Sequence, residues 1–244
     1  MKNVILTVIS IIRIVLIVLW TAVCGLAGMI LMLFTWNGRW VHLVDGLYLW
    51  SPFVCAVSGV RVKIHGKEKI DPKAARIYVA NHASHFDIVA LSRVMPVGLF
   101  FIAKKELSRV PVLGQYMWLI GHIFVDRGNK EEARKSMKQA AEKIRAGRNV
   151  ISFPEGTRTK TDSMGLFKRG SFIIAKEGNI DIVPVAITGS REVLKSGSYL
   201  IRSGIIHVYI GDLIRTAELA HLSADELASY SRKRVAEMMM EYQK

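Results

Sequence analysis

The sequence predicts an α/β fold: a mixed, largely parallel sheet flanked by helices, preceded by an apolar helical membrane anchor. Three features carry that prediction. They are an uncharged stretch near the amino terminus, seven short β-rich runs after Gly59, and helix-periodic segments between several of those runs. The 244 residues suit one globular domain with an appendage, and the division expected is 1–58 for membrane-associated helices and 59–244 for the globular part. With 51% hydrophobic and 22% charged residues, the chain has ample material for a core, which excludes a disordered polyelectrolyte despite a net charge of +14. Two cysteines, Cys24 and Cys55, both in apolar stretches, are too few for a disulfide framework or a zinc site and fit a reducing compartment.

Residues 14–36 are 23 consecutive positions without a charge. As a helix they would extend about 34 Å, enough for a hydrocarbon layer of roughly 30 Å. Arg13 and Arg39 bracket the stretch, and Trp36 and Trp40 lie where interfacial aromatics belong. The run is far longer than the apolar region of a signal peptide. A second apolar stretch, 41–60, contains His42, Asp45 and Pro52, so it reads as an interfacial segment or the return arm of a hairpin. The flanking charges are nearly balanced, which leaves open a true crossing and a hairpin embedded in one leaflet.

Strands are expected at 61–65, 76–80, 99–103, 123–126, 150–153, 182–187 and 205–210. They are nearly all apolar, as in a sheet covered on both faces. Ala133, Met137, Ala140 and Ile144 recur at helical spacing within 130–148, and Ser223 followed by Glu226 opens a final helix reaching about residue 241.

The most informative motif is Asn81-His82-Ala83-Ser84-His85-Phe86-Asp87, directly after an expected strand. Ligands of α/β sheets bind at strand carboxyl ends. Histidine is suited to take a proton near neutral pH, and Asp87, five residues on, could hold Nδ1–H and leave Nε2 as the base. His82 and His85 form an H-x-x-H, but no Glu lies between them and no third ligand cluster stands out, so metal is not expected. Ser84 lacks a nucleophile elbow and reads as a helix cap or hydrogen-bond support. Direct attack by a substrate hydroxyl is then the simplest chemistry.

A second motif, Phe153-Pro154-Glu155-Gly156-Thr157-Arg158, also follows a strand. Gly156 lets the backbone approach a ligand, Thr157 adds a donor, and Arg158 offers a fork matched to phosphate. Glu155 cannot attract phosphate itself and is expected to orient Arg158 or bind a substrate hydroxyl; a surface ion pair on a turn is the plainer alternative. Arg127 and Lys104 stand at two further strand ends, Lys104 as a contact for a phosphate or developing oxyanion, or as part of a solvated turn. The stretch 182–187, with Val183 and Pro184, reads locally as a buried strand interrupted by proline.

In this order, Asn81-His82-x-x-x-x-Asp87, Phe124-x-x-Arg127, Glu155-Gly156-Thr157-Arg158 and Val183-Pro184 resemble the four blocks of the glycerolipid acyltransferases, most nearly those acting on 1-acyl-sn-glycerol 3-phosphate in bacteria. The likeness extends over residues 59–214 and includes Lys104-x-Glu106-Leu107 and Phe167-Lys168-x-Gly170. It implies transfer of an acyl group from acyl-carrier protein or acyl-CoA to the sn-2 hydroxyl of lysophosphatidate, giving phosphatidic acid, with no metal or other cofactor. By position it makes His82 the general base and Asp87 its partner. Arg127, Glu155, Gly156, Thr157 and Arg158 would bind the substrate phosphate, with Val183 and Pro184 bordering the acyl region. Acceptors with another headgroup, or a lyso-aminolipid, would use the same base. The resemblance also implies a bacterial inner membrane, with the catalytic domain on its cytoplasmic face.

The basic residues of 130–148 would attract anionic headgroups or an acidic carrier protein. No nucleic-acid module accompanies the positive charge, so nucleic acid is not an expected partner.

Overall fold

The computed structural model of the chain describes residues 2–126, 128–159, 161 and 163–241. Helix α1 (Lys2–Thr35) exposes Val4, Val8, Val15, Leu19, Leu26, Ile30 and Leu33 along one side. Its other side lies along the globular part. Arg13 donates to the Ile201 carbonyl at 2.9 Å, and the Ser10 hydroxyl accepts from Ile201 N–H at 3.0 Å. Further along, Gly25 and Gly28 admit the ring of Tyr116 against the helix, where a Cβ on Gly28 would collide with it.

Asn37 caps helix α2 (Gly38–Val44) by accepting from Trp40 N–H at 3.0 Å. The helix continues as a widened π-helical stretch, Asp45–Trp50, and then as α3 (Ser51–Ser58). Pro52 explains the widening: it donates no hydrogen bond, and its ring crowds the carbonyl one turn back. Ser51 holds the turn just before it, donating to the Gly46 carbonyl with both its hydroxyl and its main-chain N–H. The stretch expected at the interface is thus the return arm of a helical hairpin, joined to α1 by Trp50 Nε1 donating to Thr21 Oγ1 at 2.9 Å and by Trp20 stacked on Phe53. Arg39 donates to the carbonyls of Gly147 and Pro72, both at 3.2 Å. The two arginines therefore grip the globular part at both ends of the uncharged run, Arg13 from within α1 and Arg39 from α2. By length and composition, Val4–Thr35 and Gly38–Ser58 are each apolar enough to cross a membrane.

From Gly59 onward the elements run β1 (Val60–His65), β2 (Ile77–Ala80), α4 (Phe86–Val94), β3 (Leu99–Lys104), α5 (Leu113–Ile120), β4 (Ile123–Val125) and α6 (Lys130–Arg145). They continue with β5 (Asn149–Ser152), α7 (Gly170–Gly178), β6 (Ile182–Thr188), α8 (Ser190–Val193), β7 (Gly204–Ile210) and α9 (Ala224–Glu241). Every strand agrees with its expected run to within a residue at either end. Helix α6 stops short of residue 148, because Gly147 turns the backbone to φ 86°. Helix α9 opens on the expected capping box, with Glu226 N–H on Ser223 Oγ and Ser223 N–H on Glu226 Oε2.

The seven strands form one sheet in the order β1-β7-β6-β2-β5-β3-β4. The five strands from β6 to β4 are mutually parallel, β7 is antiparallel to β6, and β1 is parallel to β7. This is the mixed, largely parallel sheet that the sequence predicts. Tyr78, Leu91, Val183 and Ile206 pack one face beneath α3 and α4; Ile77, Phe100, Phe172 and Leu227 pack the other beneath α6, α7 and α9. The carboxyl ends of β2, β5 and β3 consequently lie side by side.

Candidate active site

Strand β2 delivers His82 at its carboxyl end. Just before it, buried Asn81 exchanges two hydrogen bonds with the backbone of Ile187, at 2.8 and 2.7 Å, tying the exit of β2 to the end of β6. The chain then turns into α4, whose first turn carries the fully buried Asp87. One carboxylate oxygen, Asp87 Oδ2, accepts from His82 Nδ1 at 2.8 Å, Ala83 N–H at 2.8 Å and Ser84 N–H at 2.9 Å. A carboxylate only accepts, so the ring proton belongs on Nδ1 and Nε2 carries the lone pair. Among the described residues nothing bonds to Nε2. The ring is stacked on Phe153, with centroids 4.1 Å apart, which removes its freedom to swing. Ser84 has the supporting position expected: buried, its hydroxyl donates to the Leu194 carbonyl at 2.8 Å and accepts from Phe86 N–H.

The loop after β5 brings the second motif beside the first. Thr159 N–H donates to the His82 carbonyl at 2.8 Å, so the two loops are hydrogen-bonded neighbours. Glu155 departs from its expected tasks. Its Oε1 accepts the main-chain N–H of His82 at 2.6 Å and its Oε2 that of Gly165 at 2.8 Å, so both oxygens are bonded to backbone amides and, among the described residues, neither is paired with Arg158. The physical reason is burial, for a carboxylate 7% exposed must find donors, and the nearest are these amides. Burial pushes its pKa up, opposed by the two backbone donors. Gly156 adopts φ 78°, and Thr157 beside it is exposed. Arg158 is half-buried and has no hydrogen-bond or ion-pair partner among the described residues. Burial and then the Arg158 charge hold the His85 imidazole below its ordinary range.

Lys104, at the end of β3, is exposed and paired with Glu106 at 2.8 Å, while Lys105 pairs with Asp126 at 3.1 Å. Arg127 lies outside the described residues. Val183 and Pro184 are buried in the first half of β6, opposite Tyr78 and Val79, and do not reach the strand ends. Proline is tolerated there because it falls in a break of the antiparallel pairing, between the Val185–Ile210 pair and the Ile182–Ile214 bridge, and its carbonyl accepts from Gly211 N–H. The sequence names Lys168 only within the Phe167-Lys168-x-Gly170 likeness and gives it no role; its ammonium lies across Gly156. The signal for it was the glycine itself, a position kept free of a side chain beside a cation.

A histidine oriented by a buried carboxylate, open at Nε2 and bordered by an unpaired arginine, defines a general-base site of the transferase or hydrolase class. The family model described as Acyltransferase matches residues 61–188, and the chain belongs to that family. It is 33% identical to the 1-acyl-sn-glycerol-3-phosphate acyltransferase of Saccharomyces cerevisiae over 94% of this chain and 77% of that one. It is 35% identical to the protein of the same description from Limnanthes douglasii, over 66% of this chain and 55% of the relative. The match thus spans little more than half the length of the plant protein. The chain also superposes on the crystal structure of the 1-acyl-sn-glycerophosphate acyltransferase PlsC from Thermotoga maritima with a TM-score of 0.86, covering 100% of this chain and 98% of that one at 23% identity. That similarity establishes the fold.

Proposed function

We propose that this chain transfers a fatty acyl group from acyl-carrier protein or acyl-CoA to the sn-2 hydroxyl of 1-acyl-sn-glycerol 3-phosphate, giving phosphatidic acid. His82 Nε2 takes the hydroxyl proton as the oxygen attacks the thioester carbonyl. The carbon–sulfur bond then breaks, and the proton passes from the imidazolium to the leaving thiolate. Asp87 keeps the ring in the required tautomer and stabilises the imidazolium. Arg158, with Arg127 and the Gly156–Thr157 turn, binds the phosphate; Glu155 positions His82 through its main chain. Lys104 joins this set only by leaving Glu106. Val183 and Pro184, seated in the sheet, act on the acyl region only through the packing around them. The reaction calls for no metal or other cofactor. The observation that carries the reading is the 2.8 Å bond from His82 Nδ1 to Asp87, with Nε2 left free and the Arg158 loop hydrogen-bonded to the His82 carbonyl through Thr159. The names of the relatives support the acceptor.

On the same reading α1 to α3 embed in one leaflet, with the domain against the cytoplasmic face of a bacterial inner membrane. The grip of Arg13 and Arg39 on the domain supports this, since a helix strapped lengthwise to a globular domain cannot also stand across the bilayer. Purified protein supplied with lysophosphatidate and matched acyl-CoA and acyl-carrier donors, with product followed by mass, tests the function. Phosphatidic acid is expected. Faster acylation of a lysolipid bearing a larger headgroup would overturn the acceptor, and free fatty acid without acylated product would overturn the reaction.

A further inference from the structure

Residues 164–168, just ahead of α7, are tied down by hydrogen bonds on two sides. Gly165 N–H donates to Glu155 Oε2 at 2.8 Å, and Lys168 N–H to the Pro154 carbonyl at 2.9 Å. From α9, Arg232 donates to the carbonyls of Met164 at 2.7 Å and Gly165 at 2.8 Å. Phe167 anchors the loop in the core against Phe172. The backbone of Lys168 is thus set before any ligand arrives, which removes much of the ordering cost that a surface lysine ordinarily carries. Its side chain crosses the Gly156 turn, where a Cβ would stand 2.9 Å from Nζ. Among the described residues Lys168 has no ion pair and no side-chain hydrogen bond, unlike Lys104 and Lys105. A free cation therefore lies over the turn that also carries Arg158, and the glycine between them supplies the room.

We propose that Lys168 is a second phosphate-binding residue of this site, acting over Gly156 at the turn that also carries Arg158. The guanidinium supplies a bidentate fork and the ammonium a compact point charge. Two phosphates come to such a site: the monoester of the lysolipid acceptor and the pantetheine phosphate of the thioester donor. This inference rests on His82 being the base of an acyl transfer.

The test compares Lys168→Met and Lys168→Arg with the unaltered full chain in mixed micelles. Acceptors are lysophosphatidate and monoacylglycerol; donors are acyl-CoA and an acyl-N-acetylcysteamine thioester, which has no phosphate. Lys168→Met is expected to raise KM for lysophosphatidate roughly ten- to hundredfold, the range for one lost charge-assisted hydrogen bond, with kcat and Tm little changed. Monoacylglycerol should be indifferent to the change, and Lys168→Arg should recover most of the loss. A rise in KM seen only with acyl-CoA assigns the phosphate to the donor. Unchanged KM for both phosphate-bearing substrates overturns the proposal, as does an equal loss on lysophosphatidate and monoacylglycerol. Phosphorus NMR titration of lysophosphatidate into the same micelles reads binding without turnover, and equal affinity in the Met variant and the unaltered chain overturns acceptor binding. Absence of any transfer by the unaltered chain instead removes the acyltransferase reading.

Discussion

The main-chain N–H of His82 donates to Glu155 Oε1 at 2.6 Å, so a carboxylate from one motif sets the position of the base in another. In Glu155→Gln the amide presents one acceptor and one donor to two N–H groups, and one bond must be lost. We expect kcat to fall about ten- to hundredfold through displacement of the base, with KM for lysophosphatidate little altered. Steady-state kinetics on a variant shown by circular dichroism to be folded provides the check. A change confined to KM would return Glu155 to the substrate.

Asp87→Asn addresses the ring of the same histidine. All three bonds fall on one oxygen, Oδ2, so an amide oxygen placed there keeps the turn and the tautomer but removes the negative charge that stabilises the imidazolium. Loss of that charge should lower kcat by about 10- to 1,000-fold while the protein stays folded. A folded variant with near-normal turnover would refute the assignment of His82 as base.

Arg158→Ala should act mainly on KM for the phosphate-bearing acceptor, by roughly one to two orders of magnitude, because a charged hydrogen bond is lost while the base is untouched. An effect seen only with the acyl donor would move Arg158 to the other subsite.

His122 predicts a limit in acid. Its buried ring accepts the Phe101 N–H through Nδ1 at 2.9 Å, so it must stay neutral in the fold. Burial, then the charges of His42 and Lys143, hold its pKa well below the usual imidazole range. The unfolded chain takes up a proton near pH 6.5 that the native protein cannot accommodate. Stability is therefore full above that pH and falls below it, by up to about 1.4 kcal/mol per pH unit. Melting curves at pH 7.5 and 5.5 should show this slope, and His122→Asn should flatten it; an undiminished slope would assign the acid sensitivity to other groups.

The strands were legible because each is a short apolar run between turns, and the His82–Asp87 pair because its partners are five residues apart. What local pattern could not reveal is which loops meet. Glu155 beside Arg158 looks like an ion pair, yet its donors come from residues 73 and 10 positions away. That Val183 and Pro184 lie in a buried strand was legible in the run 182–187; the insertion of β7 between β1 and β6 was not. The role of Lys168 was hidden for a similar reason: eleven residues stand between it and the glycine it covers.

The lengthwise strap of α1 bears on any attempt to make a water-soluble version by cutting the amino terminus away. Ile14 and Ile17 help close one face of the sheet, and Tyr116 rests against Gly25 and Gly28. Removing the helix would peel a lid from the interior, and the shortened chain should precipitate, where milder detergents around the whole chain should not provoke this.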